Sequence, residues 1–115
     1  MPVWLRTRGL DRRPVRHADL RWRAEAMLEA LGLADAELSI LLCDDSTIRE
    51  LNRRYRKKNR PTDVLAFPMH EGPGPHIAPG LLGDVVISLP TARRQAAARD
   101  RAIVDQVTFL LAHAL

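Results

Sequence analysis

Two short stretches restrict the fold of this chain more than anything else in it. From Leu38 to Cys43, residues Leu38, Ile40 and Leu42 fall on one face of an extended segment and Leu41 and Cys43 on the other. Both faces are therefore apolar, the pattern of a strand central in its sheet. Leu82 to Ser88 reads as a further strand built on the run Val85-Val86-Ile87. A fold with such strands must cover them with other elements, and the rest of the sequence supplies candidates.

Val3 to Arg8 reads as a first strand. Asp19 to Leu31 follows as a helix, with Leu20, Ala24, Met27, Leu28 and Leu31 as its apolar stripe and Gly32 as its stop. After the Glu37–Cys43 strand, Asp44 to Thr47 offer N-cap side chains, and Thr47 with Glu50 has capping-box spacing. Ile48, Leu51 and Tyr55 carry a second helix, and Asn59 to Asp63 form a turn into a short strand, Val64 to Phe67, stopped by Pro68. Residues 69 to 80 hold three of the 8 prolines and three of the 6 glycines and are expected to be a mobile surface loop. Pro90 opens a helix to about Ala98, and Ile103 to Leu115 a last one. Strands and helices mix without strict alternation, which predicts an α+β fold: one domain, residues 1–115, with a small mixed central sheet. The sequence closes at Leu115 within an apolar helical pattern, with no Gly, Pro or polar stop, so the domain is expected to be C-terminally incomplete.

At 115 residues and 46% hydrophobic content the chain needs neither a disulfide nor a metal merely to fold. No apolar run approaches the ~20 residues that span a bilayer, the arginine-rich N-terminus has no signal core, and the single Cys43 suits a reducing compartment. A cytoplasmic protein with no membrane partner is expected. Its charge is unevenly placed: residues 1–60 carry 14 Lys/Arg against 9 Asp/Glu, residues 61–115 only 4 against 5. Arg49, Arg53, Arg54, Arg56, Lys57, Lys58 and Arg60 fall in one short window opposed only by Glu50. Such a window suits a polyanion, most often nucleic acid; the plainer alternative is a solvated helix face and a basic loop.

Chemistry has few obvious carriers. Glycine-rich phosphate loops, serine nucleophile elbows, Cys-x-x-Cys pairs and His-Glu-x-x-His helices are all missing from the sequence. His113 shares a helical face with Gln106, Phe109 and Leu110, and a lone histidine so placed is more often a core or boundary residue than a ligand. His70, Glu71 and His76 could in principle bind a metal, but a flexible loop makes a poor preorganised site. His17 reads as a turn or cap-region residue and Cys43 as a small core hydrophobe. Arg56, at the end of the second helix, can project over the sheet and clamp a phosphodiester, or it can simply serve its own helix dipole. Asp84, inside an apolar strand, is a hydrogen-bond organiser or a functional acid, with donors expected around it.

Three stretches read together are more specific. Leu51-Asn52-Arg53-Arg54-Tyr55-Arg56 leads to Arg60-Pro61-Thr62-Asp63-Val64-Leu65-Ala66-Phe67-Pro68; Leu82-Gly83-Asp84-Val85-Val86-Ile87-Ser88 and His113-Ala114-Leu115 follow. In order and spacing they closely resemble the YbeY family of bacterial endoribonucleases. The resemblance implies cleavage of single-stranded RNA in ribosomal RNA maturation and ribosome quality control, by a zinc on three histidines of the form His-Gly-x-x-His-x-x-Gly-x-Asp-His. His113 matches the first of these, with Ala114 where Gly is usual, and the positions of the other two lie past Leu115. Carried over in the same way, Arg56 matches the family's functional arginine and is the catalytic candidate. The basic residues Arg53, Arg54, Lys57, Lys58 and Arg60 would guide single-stranded RNA, ribosomal RNA or the ribosome towards it. With only 5 aromatic residues for base stacking, recognition would rest on backbone electrostatics. A single ligand does not make a zinc site, so this chain is expected to be inactive alone. The alternatives are a non-catalytic RNA- or ribosome-binding module and a zinc hydrolase of peptides or small esters, the latter disfavoured by the basic window.

Overall fold

The computed structural model describes residues 3–10, 15–68 and 81–115. Its elements run β1 (Val3–Arg8), α1 (His17–Ala30), β2 (Glu37–Cys43), α2 (Asp45–Arg56), β3 (Val64–Pro68), β4 (Leu81–Ser88), α3 (Leu89–Ala98) and α4 (Ile103–Ala114). The four strands form one mixed sheet in the order β1-β2-β4-β3, with β1, β2 and β4 parallel and β3 antiparallel to β4. The α+β fold with a small mixed sheet is thus the observed one. The two strands with continuous apolar runs, β2 and β4, are the two central ones. The Pro/Gly loop, with His70, Glu71 and His76, lies outside the described residues.

Each central strand is covered on both faces. On one side Leu38, Ile40, Leu42, Val85 and Ile87 pack against Leu20, Ala24 and Leu28 of α1, Leu89 and Ala92 of α3, and Val107, Leu110 and Leu111 of α4. On the other, Leu41, Cys43, Val86, Leu65 and Phe67 receive Ile48 and Leu51 of α2. Each fully buried leucine or isoleucine in these layers contributes about 1.5–3 kcal/mol by leaving water. Burial also pushes the Cys43 thiol up to about 12, with Asp44 and Asp45 nearby adding to the shift, so Cys43 is a neutral core side chain.

Helix ends follow local chemistry. Helix α1 begins at His17, two residues ahead of Asp19, and closes with Gly32 at φ +74, where the glycine N–H donates to the Glu29 carbonyl. The Thr47–Glu50 capping box does not form. Asp44 is the N-cap of α2, its Oδ1 accepting from the Thr47 N–H at 2.8 Å, and Glu50 turns outward to Arg53 and Arg54. Asp44 is the cap because its backbone is extended (φ −86, ψ 172) while Thr47 already lies within the helix, so the Asp44 carboxylate meets the third helical amide.

Asp45 then ties α2 to α3 across the top of the sheet. Its Oδ1 accepts from Ser88 Oγ at 2.6 Å and Thr91 Oγ1 at 2.7 Å, and its Oδ2 from Arg94 at 3.0 Å. Partial burial opposes the charged form, but these three donors outweigh it and hold the Asp45 carboxyl below the ordinary aspartate value. A carboxyl lowered on folding stabilises the fold above its unfolded pKa, and that contribution is lost as pH falls through the folded value. The urea midpoint should therefore decline as pH falls below about 5 and on through the ordinary aspartate range. In Asp45→Asn the midpoint should be lower at neutral pH and that acid decline shallower; an unchanged acid limb would show that Asp45 is not one of the groups setting it.

Candidate active-site cleft

Helix α2 starts at the C-terminal end of β2 and runs back over the sheet, so its last residue, Arg56, arrives above the β3 edge. There the guanidinium is fixed twice. Nη2 donates to the Ala66 carbonyl at 2.7 Å, and the guanidinium carbon lies 4.6 Å from the centre of the Phe67 ring. Phe67 is itself buried and held edge-on by Tyr55, with ring centroids 5.1 Å apart. Arg56 is exposed, its remaining N–H donors are left over by these two contacts, and no carboxylate among the described residues pairs with it.

The basic window divides in two. Arg53 and Arg54 share Glu50 on the outer face of α2: Arg53 Nε donates to Glu50 Oε2 at 3.1 Å, and Arg54 lies 3.9 Å away. The hydrogen bond from Arg53 holds the Glu50 carboxyl below its usual range. Arg56, Lys58 and Arg60, by contrast, line a recess of about 260 Å³ with Asn52, Thr62 and Leu65. Lys57 lies between the two groups, at the left-handed residue that ends α2, φ 61.

On the other side of β3 a cleft of about 290 Å³ is lined by Ala66, Phe67, Pro68, Asp84, Ala114 and Leu115, among others. It brings the end of α4 beside the strand that holds Arg56. His113, just before Ala114, is exposed and stacks on Phe109, with centroids 6.4 Å apart and planes 16° from parallel. Gln106 and Leu110, which share its helical face in sequence, are buried, so His113 sits at the boundary where that face meets solvent. Among the described residues no three His, Cys, Asp or Glu side chains gather as a metal would require. His113 by itself does not fit a catalytic zinc site.

Asp84 departs from expectation. It is 3% exposed, yet neither carboxylate oxygen has a hydrogen-bond partner among the described residues, and the expected donors are not there. Its strand register explains the burial. Asp84 stands opposite Ser39 on one side and Phe67 on the other, between two neighbouring strands.

Several residues that position the cleft carried no clear sequence signal. Asp63 fixes the start of β3: its Oδ1 accepts from the Val64 N–H at 2.7 Å, its carbonyl from the Ser88 N–H at 3.0 Å, and its Oδ2 from Gln95 at 3.1 Å. Gln95 accepts in turn from buried Gln106 at 2.8 Å, and Gln106 from Arg101 at 2.9 Å. This relay joins the turn before β3 to the helix that carries His113. Asn52, 3% exposed, donates to the Arg60 carbonyl at 2.9 Å and pins the turn after α2.

These features define a mixed-sheet α+β domain with a cationic recess beside its antiparallel edge strand. The family model for endoribonuclease YbeY matches residues 11–115. The chain is 47% identical over 106 residues to the endoribonuclease YbeY of Aquifex aeolicus (strain VF5), an alignment covering 92% of this chain and 69% of that protein. It is 55% identical over 96 residues to the YbeY of Anaeromyxobacter sp. (strain Fw109-5), covering 84% and 48%. The solution structure of TM1509 from Thermotoga maritima has the same fold, with a TM-score of 0.65 at 22% identity, over 96% of this chain and 68% of that one. The chain belongs to the YbeY endoribonuclease family, and its matched part spans roughly half to two-thirds of the length of these curated relatives. No helix of the described residues is long and apolar enough to cross a membrane.

Proposed function

We propose that this chain is the substrate-approach and phosphate-clamping part of a cytoplasmic endoribonuclease that hydrolyses phosphodiester bonds in single-stranded RNA, ribosomal RNA in particular. The observation that carries the reading is Arg56, held by Ala66 and Phe67 with its remaining donors left for the recess that it lines with Lys58 and Arg60. A guanidinium fixed before substrate arrives stabilises charge developing on phosphorus without reorganising. Family membership supports the reaction class, and the uncompensated cations beside Arg56 support an anionic polymer as substrate.

Zinc is the metal implied by the family signature, and His113 would be one ligand. When bound, zinc would supply an activated water or polarise a phosphoryl oxygen. The described residues bring no further ligand beside His113.

The test uses the protein expressed from its full reading frame, on an RNA with duplex and single-stranded segments. Cuts confined to the single-stranded segments, stopped by chelator and restored by zinc, are expected. Equal cutting of the duplex would remove the single-strand preference, and chelator-insensitive cutting the zinc. RNA binding without turnover would instead make the protein a binding module.

A further inference from the structure

The recess between α2 and the turn that follows it has the properties of a phosphate seat separate from Arg56's own contacts. Lys58 and Arg60 have no carboxylate within ion-pair distance among the described residues. The turn does not need their charges. It is held by backbone bonds from the Lys57 and Lys58 N–H groups to the Arg53 and Asn52 carbonyls, and from the Arg60 N–H to the Lys58 carbonyl. Asn52 reaches the Arg60 main chain, and Arg49 Nε donates to Asn59 Oδ1 at 3.0 Å. Three cations therefore face one volume of about 260 Å³ on a backbone fixed by other groups. Such a set repels itself, and a bound anion relieves the repulsion. Arg53 and Arg54, equal to them in sequence, share one carboxylate, Glu50, which offsets part of their charge.

We propose that Lys58 and Arg60, with Asn52 and Thr62 as the polar wall, bind the phosphodiester next to the one held by Arg56. The RNA strand then crosses the turn at residues 57–62, leaving the outer face of α2 free. This rests on the ribonuclease reading for its choice of polyanion; the seat itself rests on the geometry.

The experiment is the equilibrium binding of a fluorescent uridine dodecamer to the full-length protein over a salt series. Both side chains are exposed and the Asn52 bond goes to the Arg60 main chain, so K58A/R60A should melt as the wild type does. Losing the one phosphate that these two residues hold should reduce the slope of log K against log salt by about 0.7 and weaken binding by roughly five-fold at about 0.1 M salt. R53A/R54A, whose charge Glu50 already offsets in part, should lose less affinity and less slope than K58A/R60A. Equal losses in the two variants, or none in K58A/R60A while the wild type binds, would overturn the seat and leave the ribonuclease reading standing. If the wild type cuts RNA but K58A/R60A loses affinity only for a polyglutamate peptide, the seat belongs to an acidic protein and the proposal is wrong. A wild type that does not bind the dodecamer at all removes both readings.

Discussion

Arg56→Ala should slow RNA cleavage by about 10²–10³-fold under single-turnover conditions with enzyme in excess, the scale seen when one preorganised charge-stabilising donor is removed. Stability should fall by less than about 1 kcal/mol, because the side chain is exposed and its contact with Phe67 is a surface cation–π pair. The combination matters, since a large rate loss with an unshifted melt separates a role in chemistry from a role in folding. Arg56→Lys provides the sharper comparison. It keeps the charge, yet an ammonium cannot bond the Ala66 carbonyl, lie flat on Phe67 and still present a planar fork to a phosphate. Little recovery in Arg56→Lys would mean that the positioned fork is what counts. Near-complete recovery, or an Arg56→Ala enzyme that is weaker in KM alone, would reduce Arg56 to one more cation on the approach path.

Gly83→Ala should cost about 2–3 kcal/mol, as forced overpacking does in a tight core, and should lower cleavage as well. A Cβ at Gly83 would overlap the Phe67 carbonyl oxygen and lie 3.4 Å from Pro68 Cα. These are main-chain atoms of the paired strand and cannot rotate away, so β3 and β4 must separate. The same displacement moves Phe67 and Ala66, the two groups that hold Arg56. Urea melts would measure the loss of stability, and cleavage assays well below the melting range would show the displaced site. A fully stable Gly83→Ala would mean that the strand pair yields at that point, and would weaken the claim that close β3–β4 contact sets the position of Arg56.

The sheet was readable because its signal is local: a strand apolar on both faces, such as Leu38–Cys43, has few places to go except the middle. Helix bodies were readable for the same reason, whereas the start of α2 was not, because Asp44 and Thr47 compete for one cap and only the backbone decides between them. Arg56 stood out by lying at the end of a helix just before a turn. Its anchors on Ala66 and Phe67 required the fold, since they sit ten and eleven residues away on a neighbouring strand. The split of the basic window was partly legible, because Glu50 precedes Arg53 and Arg54 by three and four residues, the spacing at which helical side chains pair. The Asp63–Gln95–Gln106–Arg101 relay was not legible. Polar groups joined across three elements leave no periodic trace, and the expectation of donors around Asp84 failed because it came from a general cost rather than from a located partner.

Strand β3 lies at the border of the sheet, where an unpaired main chain is ordinarily a template for another strand. At this border the Ala66 carbonyl is already occupied by Arg56, and the next position but one is Pro68, which has no N–H to offer. The contact that holds the guanidinium over β3 therefore also takes an acceptor that a second strand would use. One side chain thus blunts the edge of the sheet beside the recess that it lines.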